Sequence, residues 1–189
     1  EIPIWVSYPL SVFISLLVVN SINLIDGIDG LASGLGLIAL GVLFFSFYEL
    51  HITIYTIFTA ALMGTIMVFM YFNLFGSVAR NRKTFMGDTG SLILGYALAF
   101  LAFKYAMYNP NVLPYRADAL LLAYTILIVP TFDLIRVALA RLKNGVSIFH
   151  ADKTHIHHKF MAIGFSMRTT LYLILGLQIG FCIANSVMY

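Results

Sequence analysis

Six long apolar runs constrain the fold of this chain more than any other feature of its sequence. Each is about 20 residues long, the length that an α-helix needs to cross a bilayer. The runs span residues 4–22, 31–48, 54–72, 92–108, 119–138 and 170–188. Because a bilayer offers the backbone no hydrogen-bonding partner, such segments fold as helices. The sequence therefore predicts an all-α fold, a polytopic transmembrane helical bundle of about six spans.

The composition excludes an ordinary soluble domain. Of the 189 residues, 61% are apolar and only 10% are charged, whereas soluble domains carry about 25% charged residues. The net charge of +3 does not indicate a nucleic acid partner, because the basic residues are segregated by membrane side. No repeat or linker divides the chain, so residues 1–189 are predicted to form a single integral-membrane domain in the lipid bilayer.

The distribution of positive charge predicts the orientation of the bundle. Of the 11 Lys and Arg residues, only Lys104 and Arg116 lie toward one end of the predicted spans. The others lie at the opposite end: Arg80, Arg82, Lys83, Arg136, Arg141, Lys143, Lys153, Lys159 and Arg168. Loops rich in Lys and Arg remain in the cytoplasm. We therefore expect that end to be cytoplasmic, and topology alone is one sufficient explanation of these basic residues.

A polar stretch, NSINLIDGIDGLASG at residues 20–34, separates the first two apolar runs. At 100° per residue, Asn20, Asn23 and Asp26 fall on one third of a helix circumference with three of the glycines, and Asp29 lies about 60° beyond. If the helix breaks at the glycines, the same residues form a loop at the membrane rim. Either geometry offers hard oxygen donors to a divalent cation.

A second polar stretch, FMGDTGSLILG at residues 85–95, precedes the fourth run. Asp88 followed by Thr89 and Ser91 fits a helix N-cap, where a side-chain oxygen accepts a backbone N–H bond. It fits equally well a metal ligand beside a helix N-terminus that is ready to bind an anion. The residues alone leave both interpretations open.

A third stretch, HADKTHIHHKF at residues 150–160, holds four of the five histidines. A zinc site needs three or four ligands in tetrahedral geometry, and His155, His157 and His158 provide three, with no cysteine nearby. The interleaved Lys153 and Lys159 make the stretch better suited to holding phosphates. Zinc remains the alternative.

Asp133 and Arg136 lie three residues apart in the fifth run, where an i,i+3 ion pair near the membrane rim is the simplest interpretation. The predicted topology places the three polar stretches at the same end of the bundle as this pair. A bundle without a site has no reason to collect its polar residues in this way. We therefore expect a functional site at the cytoplasmic rim.

The three motifs occur here in the order found in the polyprenyl-phosphate N-acetylhexosamine-1-phosphate transferases, which the chain resembles over essentially its whole length. The stretch RLKNGVSIFHADKTHIHH resembles the N-acetylglucosamine branch, since Ile156 interrupts the three consecutive histidines of the phospho-N-acetylmuramoyl-pentapeptide transferases. Family members carry an aspartate-rich loop and further spans before these motifs, whereas this chain begins at Glu1. We expect the C-terminal part of a longer enzyme; a short, inactive paralogue is the alternative.

The resemblance implies transfer of N-acetylhexosamine-1-phosphate from a UDP-N-acetylhexosamine to a polyprenyl phosphate such as undecaprenyl phosphate, with release of UMP. This would be the first membrane step of cell-envelope polysaccharide synthesis, at the cytoplasmic face of the cytoplasmic membrane. The resemblance also implies Mg²⁺, with Mn²⁺ as a substitute. It assigns Asp26, Asp29 and Asp88 to catalysis, Asn20, Asn23, His155, His157 and His158 to substrate binding, and Asp88, Asn23 and Asp26 to the metal.

Three other functions compete with this expectation. A phospho-N-acetylmuramoyl-pentapeptide transferase of peptidoglycan synthesis shares the first two motifs. A transporter would use rim carboxylates such as Asp26 and Asp29 to line an ion path, and it predicts polar residues at mid-span and on both sides. A CDP-alcohol phosphotransferase also carries Asp-Gly motifs, but the residues after Asp26-Gly27 do not have its spacing. The sequence leaves a homodimer open.

Overall fold

The computed structural model describes residues 3–109, 113–148 and 154–188, and these residues form helices and no β-strand. The helices are α1 (Ile4–Ile25), α2 (Leu31–Glu49), α3 (Thr53–Phe75), α4 (Gly87–Ala106), α5 (Ala119–Thr125), α6 (Ile128–Lys143), α7 (Ile156–Ala162) and α8 (Met167–Met188). A single 3₁₀ turn covers Val78–Arg80. The predicted all-α class is confirmed.

Helices α1, α2, α3, α4 and α8 are each long and apolar enough to cross a membrane. They correspond to five of the six predicted spans, and the chain is an integral membrane protein. The sixth predicted span, over 119–138, is bent, since it consists of α5 and α6, two helices whose axes differ by 68°. Pro130 lies in the first turn of α6, where its ring disfavours a straight continuation from α5.

The bundle packs around α2 and α4, which have the largest buried shares of the membrane-spanning helices. Helix α1 contacts α4 and α6, and α2 contacts α3, α4 and α8. Gly95 of α4 permits a close approach of α1, since a Cβ there would lie 2.8 Å from the backbone Cα of Val19. Small residues at helix crossings have this role in membrane bundles. The outer faces of α1 and α3 expose large apolar side chains, such as Trp5 and Val68, as a lipid environment requires.

The turns that carry the polar motifs meet at one end of the bundle. The α1–α2 turn contacts the α3–α4 segment through an ion pair between Asp29 and Lys83. It contacts the histidine segment where His157 packs against Gly27. At the opposite end, Arg116 stacks on the ring of Tyr105, 4.0 Å from its centroid. The prediction that the polar stretches gather at one end is confirmed.

Candidate active site

The first motif is a helix end followed by a tight loop. Helix α1 stops at Ile25, Asp26 occupies the C-cap position, and α2 begins at Leu31. Gly30 has φ +80°, a left-handed conformation that favours glycine. Of the two geometries that the sequence left open, a continued helix or a loop at the glycines, the structure shows the loop.

Asn73, at the end of α3, fixes this loop. Its Oδ1 accepts a 2.7 Å hydrogen bond from the Gly30 N–H, and its Nδ2 donates to the Thr84 carbonyl at 2.8 Å. The same nitrogen lies 3.4 Å from Oδ1 of Asp29. One buried amide therefore joins the α1–α2 loop to the segment before α4. Sequence reasoning missed this residue, although an amide at the end of an apolar run was its signal.

A cavity of about 310 Å³ opens between these loops. Its lining includes Asn23, Asp26, Asp29, Asn73, Phe85 and Asp88. The structure thus brings Asn23, Asp26, Asp29 and Asp88 together, as the sequence led us to expect for a common site. The ring of Phe85 is 68% exposed and presents an aromatic face at the rim.

Negative charge at the cavity is only partly balanced. Burial, and then the nearby carboxylates of Asp29 and Asp88, raise the pKa of Asp26 to about 6. Asp29 is paired with Lys83, whose Nζ lies 2.5 Å from Oδ2. Among the described residues, no Lys or Arg forms an ion pair with Asp26 or Asp88. A bound cation would relieve the repulsion between these two carboxylates.

The donor set around Asn23 fits a hard cation. Its Nδ2 donates to Oδ1 of Asp88 at 3.3 Å and to Oγ of Ser91 at 2.9 Å. Its amide oxygen accepts no hydrogen bond from the described residues, so it remains available beside two carboxylates. Amide and carboxylate oxygens suit Mg²⁺, which keeps several waters and takes few protein ligands. Within the described ranges, no three His, Cys, Asp or Glu side chains are grouped closely enough to hold a metal by themselves.

Asp88 does not cap its helix. The N-cap of α4 is Met86, no side chain bonds there, and Asp88 lies in the first turn. Ser91 is not a cap either, since its hydroxyl donates back to the carbonyls of Gly87 and Asp88. The interpretation of these residues as an N-cap was wrong. The carboxylate instead points to Asn23 and the cavity, with the positive end of the helix dipole beneath it.

The histidine segment is clamped to α6 by Asp133. Oδ2 of Asp133 lies 2.9 Å from Nδ1 of His155, and Oδ1 accepts the Ile156 N–H at 3.0 Å. Arg136 donates to Oδ1 of Asp133 at 2.6 Å and to the Thr154 carbonyl at 2.6 Å. The predicted i,i+3 ion pair is confirmed, and it also holds the start of α7. Sequence reasoning missed this second role, which a carboxylate within an apolar run signals.

His157 packs against Gly27 of the cavity loop, although it does not itself line the cavity. It is 1% exposed, and neither ring nitrogen is hydrogen-bonded to another described residue. A Cβ on Gly27 would lie 2.6 Å from its Cε1, so the ring is in contact with the loop that follows Asp26. Burial, and then the nearby His158 and His155, lower the pKa of His157 to about 4. A neutral imidazole can exchange hydrogen bonds with a phosphate but does not add positive charge.

The remaining predicted residues, His155, His158 and Asn20, do not line the cavity. His158 is half-buried, with its ring centroid 4.2 Å from that of His157. The structure does not bring Asn20 into the cavity; its Nδ2 donates to the Leu16 carbonyl of the preceding turn at 2.7 Å. His150 and Lys153 of the third motif lie outside the described residues.

Comparisons with known proteins show which family and which curated proteins the chain resembles. Residues 1–106 match a family described as glycosyl transferase family 4. A Bacillus subtilis (strain 168) protein named "Probable undecaprenyl-phosphate N-acetylglucosaminyl 1-phosphate transferase" is 34% identical over 170 residues, 90% of this chain and 45% of that protein. The undecaprenyl-phosphate alpha-N-acetylglucosaminyl 1-phosphate transferase of Yersinia pestis is 31% identical over 167 residues, 88% of this chain and 44% of its own.

A third relative is the decaprenyl-phosphate N-acetylglucosaminephosphotransferase of Mycobacterium tuberculosis (strain CDC 1551 / Oshkosh). It is 32% identical over 197 residues, which cover 95% of this chain and 47% of that protein. The chain spans about half the length of the curated relatives it matches. The cavity residues Asn23, Asp26, Asp29 and Asp88 fall within the family match, and the histidine segment follows it.

Proposed function

The chain belongs to glycosyl transferase family 4, and we propose that it transfers N-acetylhexosamine-1-phosphate from a UDP-sugar to a polyprenyl phosphate in the membrane. The names of its relatives support this reaction, since each is a transferase of N-acetylglucosamine phosphate that acts with undecaprenyl or decaprenyl phosphate. The product would begin a cell-envelope polysaccharide.

One observation carries the proposal. Two carboxylates without a basic partner among the described residues, Asp26 and Asp88, line one cavity with the amide of Asn23. A transfer between two phosphates brings anions together, so its transition state demands compensation of negative charge. A cavity that concentrates carboxylates repels these substrates unless it also binds a cation, and this combination is characteristic of metal-dependent phosphoryl transfer.

The proposed reaction forms one P–O bond and breaks another. An oxygen of the polyprenyl phosphate attacks the sugar-bearing phosphorus of the UDP-sugar. The bond from that phosphorus to the bridging oxygen breaks, and UMP leaves with the electron pair. The products are polyprenyl-diphospho-N-acetylhexosamine and UMP. Both substrates are already ionised, so positioning and charge compensation dominate over proton transfer.

We propose Mg²⁺, with Mn²⁺ able to replace it, as the cation. Asp88 and Asp26 would hold it together with the amide oxygen of Asn23. When bound, it would withdraw charge from the diphosphate and from the departing UMP. This chain would supply the three oxygen ligands from the end of α1 and the first turn of α4, two helices that pack directly against each other.

Other residues would orient the donor. Asp29 is held by Lys83 and Asn73 and has no unbalanced charge, which suits a hydrogen bond to the nucleotide better than metal binding. The exposed ring of Phe85 offers a flat surface to a base. His157, with two unpartnered nitrogens against Gly27, would donate to a phosphate oxygen. The half-buried His158 would add a second imidazole beside it, and His155, whose Nδ1 is bonded to Asp133, would hold the segment in place for the substrate.

The cavity lies at the end of the bundle that carries most Lys and Arg residues, so we propose that it faces the cytoplasm. A soluble nucleotide sugar then reaches it from water, while the lipid acceptor reaches it from the bilayer. A transporter is less consistent with this arrangement, because its ionisable residues should line a path across the membrane.

The test uses the full-length protein purified in lipid nanodiscs with undecaprenyl phosphate. Radiolabelled UDP-N-acetylglucosamine, UDP-N-acetylgalactosamine and UDP-N-acetylmuramoyl-pentapeptide are supplied in turn with Mg²⁺. We expect a labelled lipid and stoichiometric UMP with an N-acetylhexosamine donor. Activity with the pentapeptide donor alone would assign the protein to peptidoglycan synthesis. Absence of UMP release with every donor would refute the proposal.

A further inference from the structure

The break between α5 and α6 interrupts a backbone hydrogen bond inside the apolar bundle. In a continuous helix, the Val129 N–H would donate to the carbonyl of Thr125, four residues earlier. The two helices instead meet at 68°, with α5 ending at Thr125 and α6 beginning at Ile128. Each backbone group left unpaired at membrane depth costs several kcal/mol. The bend therefore needs a replacement partner for both groups.

Gln178 of α8 provides both partners. Its Nε2 donates to the Thr125 carbonyl at 2.8 Å, and its Oε1 accepts the Val129 N–H at 3.3 Å. The side chain is fully buried. The amide thus lies between the same donor and acceptor that a straight helix would join directly. Insertion of a side chain into the helical hydrogen-bond ladder is a known cause of a sharp kink.

The bend sets the direction of α6 and so the positions of the side chains that α6 carries. Asp133 and Arg136 lie in the first turns after it and hold His155, Ile156 and Thr154. Two residues beyond His155, the ring of His157 packs against Gly27 of the cavity loop. If α6 straightened, Asp133 and Arg136 would move, and the histidine segment bonded to them would move as well.

We propose that Gln178 is a positioning residue for the candidate active site: by inserting its amide between Val129 and Thr125, it fixes the bend that directs Asp133 and Arg136 to the histidine segment. Gln178 itself does not line the cavity that holds Asp26 and Asp88. Its influence on turnover, unlike its influence on the bend, rests on the proposed transferase function.

The first test measures the bend without any assay of activity. Spin labels are attached at Leu120 and Leu142, exposed residues near the outer ends of α5 and α6, in full-length protein with Cys182→Ala. Alanine is used because the Cys182 Sγ lies 3.5 Å from Nε2 of Gln178, where a serine hydroxyl would bond the amide under test. Gln178→Met keeps the length of the side chain but removes both hydrogen bonds. The freed backbone groups can then pair with each other only if the helix straightens. From a rise of 1.5 Å per residue, we expect the distance between the labels to increase by about 4 Å.

Asn185→Leu is the matched control. Asn185 lies two turns further along α8 and donates to the Thr125 side chain at 3.3 Å, but it bonds neither interrupted backbone group. Its loss should lower the melting temperature without changing the distance. Gln178→Glu, which is protonated in an apolar interior and keeps a donor and an acceptor, should retain the parent distance. If Gln178→Met does not fold, Gln178→Asn, which reaches only one of the two groups, should give a smaller increase.

A second label pair follows the site itself. Leu16 of α1 and Lys159 of α7 are both exposed, and their distance reports the position of the histidine segment relative to the helix that carries Asn23. We expect this distance to shift and broaden in Gln178→Met and to stay unchanged in Asn185→Leu. Because this measurement does not use turnover, it decides the positioning role even if the protein proves to have another activity.

The kinetic measurement connects the bend to the reaction. In folded, monodisperse protein, Gln178→Met should lower kcat about tenfold, and Gln178→Glu should restore it. Asn185→Leu should leave kcat within about twofold of the parent. Unchanged distances in Gln178→Met would overturn the inference, as would a parent-like kcat beside a lowered melting temperature. An inactive parent protein, by contrast, would refute the transferase proposal and leave the two distance measurements to decide the role of Gln178.

Discussion

The ring of His157 lies directly against the backbone of Gly27, although the two residues belong to motifs that are far apart in the chain. The contact joins the histidine segment to the loop that carries Asp26 and Asp29. It leaves no room for a side chain at Gly27, since an alanine Cβ would overlap the imidazole. The glycine is therefore required by packing, and its backbone φ is not positive.

Gly27→Ala should displace His157 and lower activity by at least tenfold while the bundle remains folded. The ring cannot stay where it is, and it is packed on its other sides by His155 and His158. Gly41→Ala is the control, because a Cβ at Gly41 meets no atom within 4 Å. The control should be neutral or more stable, as an alanine in a helix favours folding by up to about 1 kcal/mol. Parent-like turnover in Gly27→Ala would show that the position of His157 is unimportant.

Asp133→Asn should release the histidine segment from α6. The asparagine keeps the shape but loses the charge that holds His155, Arg136 and the Ile156 N–H. Loss of hydrogen bonds to a buried charged group costs about 1.5–3 kcal/mol each in favourable cases. We expect a lower melting temperature and a kcat reduced by at least tenfold. Asp118→Asn, at the opposite end of the bundle, should change neither quantity.

The sequence allowed the elements and the local parts of the site to be predicted. Asn23 and Asp26 are one turn apart on α1, so helix geometry alone predicts that they share a face. Asn20 is on the same predicted face, yet its side chain donates to the Leu16 carbonyl of its own helix. Asn23, by contrast, bonds Ser91 of α4, because α4 packs against the part of this face that carries Asn23. The neighbouring helix therefore decides which residues of a polar helix face become part of a site, and helix geometry alone does not.

The long-range connections could not be predicted from one sequence. Three of them form only after the helices have packed: the ion pair between Asp29 and Lys83, and the hydrogen bonds of Asn73 with Gly30 and of Gln178 with Thr125. The bend at residues 126–127 was missed for a related reason. Pro130 is tolerated in the first turn of a new helix and in a kink of a continuous one. The residue that favours the break over a continuous helix is Gln178, which lies on α8.

Lys83→Met should weaken binding of the nucleotide sugar. Without its ammonium group, Asp29 would add an unbalanced charge to a cavity that already holds Asp26 and Asp88. The KM for the UDP-sugar should rise on the order of tenfold, because the uncompensated carboxylate of Asp29 would repel the anionic donor. The double variant Lys83→Met, Asp29→Asn should recover part of this loss. If the single variant Lys83→Met and the double variant show the same KM, the Asp29–Lys83 ion pair has no electrostatic role in binding the nucleotide sugar.

Accessibility of the basic end tests the orientation. Cysteines at Arg82 and Lys159, both exposed, are introduced after Cys182 has been changed to serine. Since the Lys and Arg residues are concentrated at this end, a membrane-impermeant thiol reagent should label both positions in inverted vesicles and neither in intact cells. Labelling in intact cells would place the cavity on the outer side, where no nucleotide sugar is expected.

Asp88→Asn separates the charge of this residue from its shape. The structure shows that Asp88 does not cap α4, and the asparagine can still accept the hydrogen bond from Asn23. The melting temperature should therefore change little. Loss of the charge removes one of two carboxylates available to a cation, so we expect turnover to fall by about 100-fold or more. Raising Mg²⁺ should recover some activity, because the remaining ligands bind the ion more weakly.

Titration of the variant with Mn²⁺, followed by paramagnetic resonance, gives a readout independent of turnover and should show weaker binding than in the parent. An Asp88→Asn protein with the turnover and Mn²⁺ affinity of the parent would refute the assignment of Asp88 as a metal ligand.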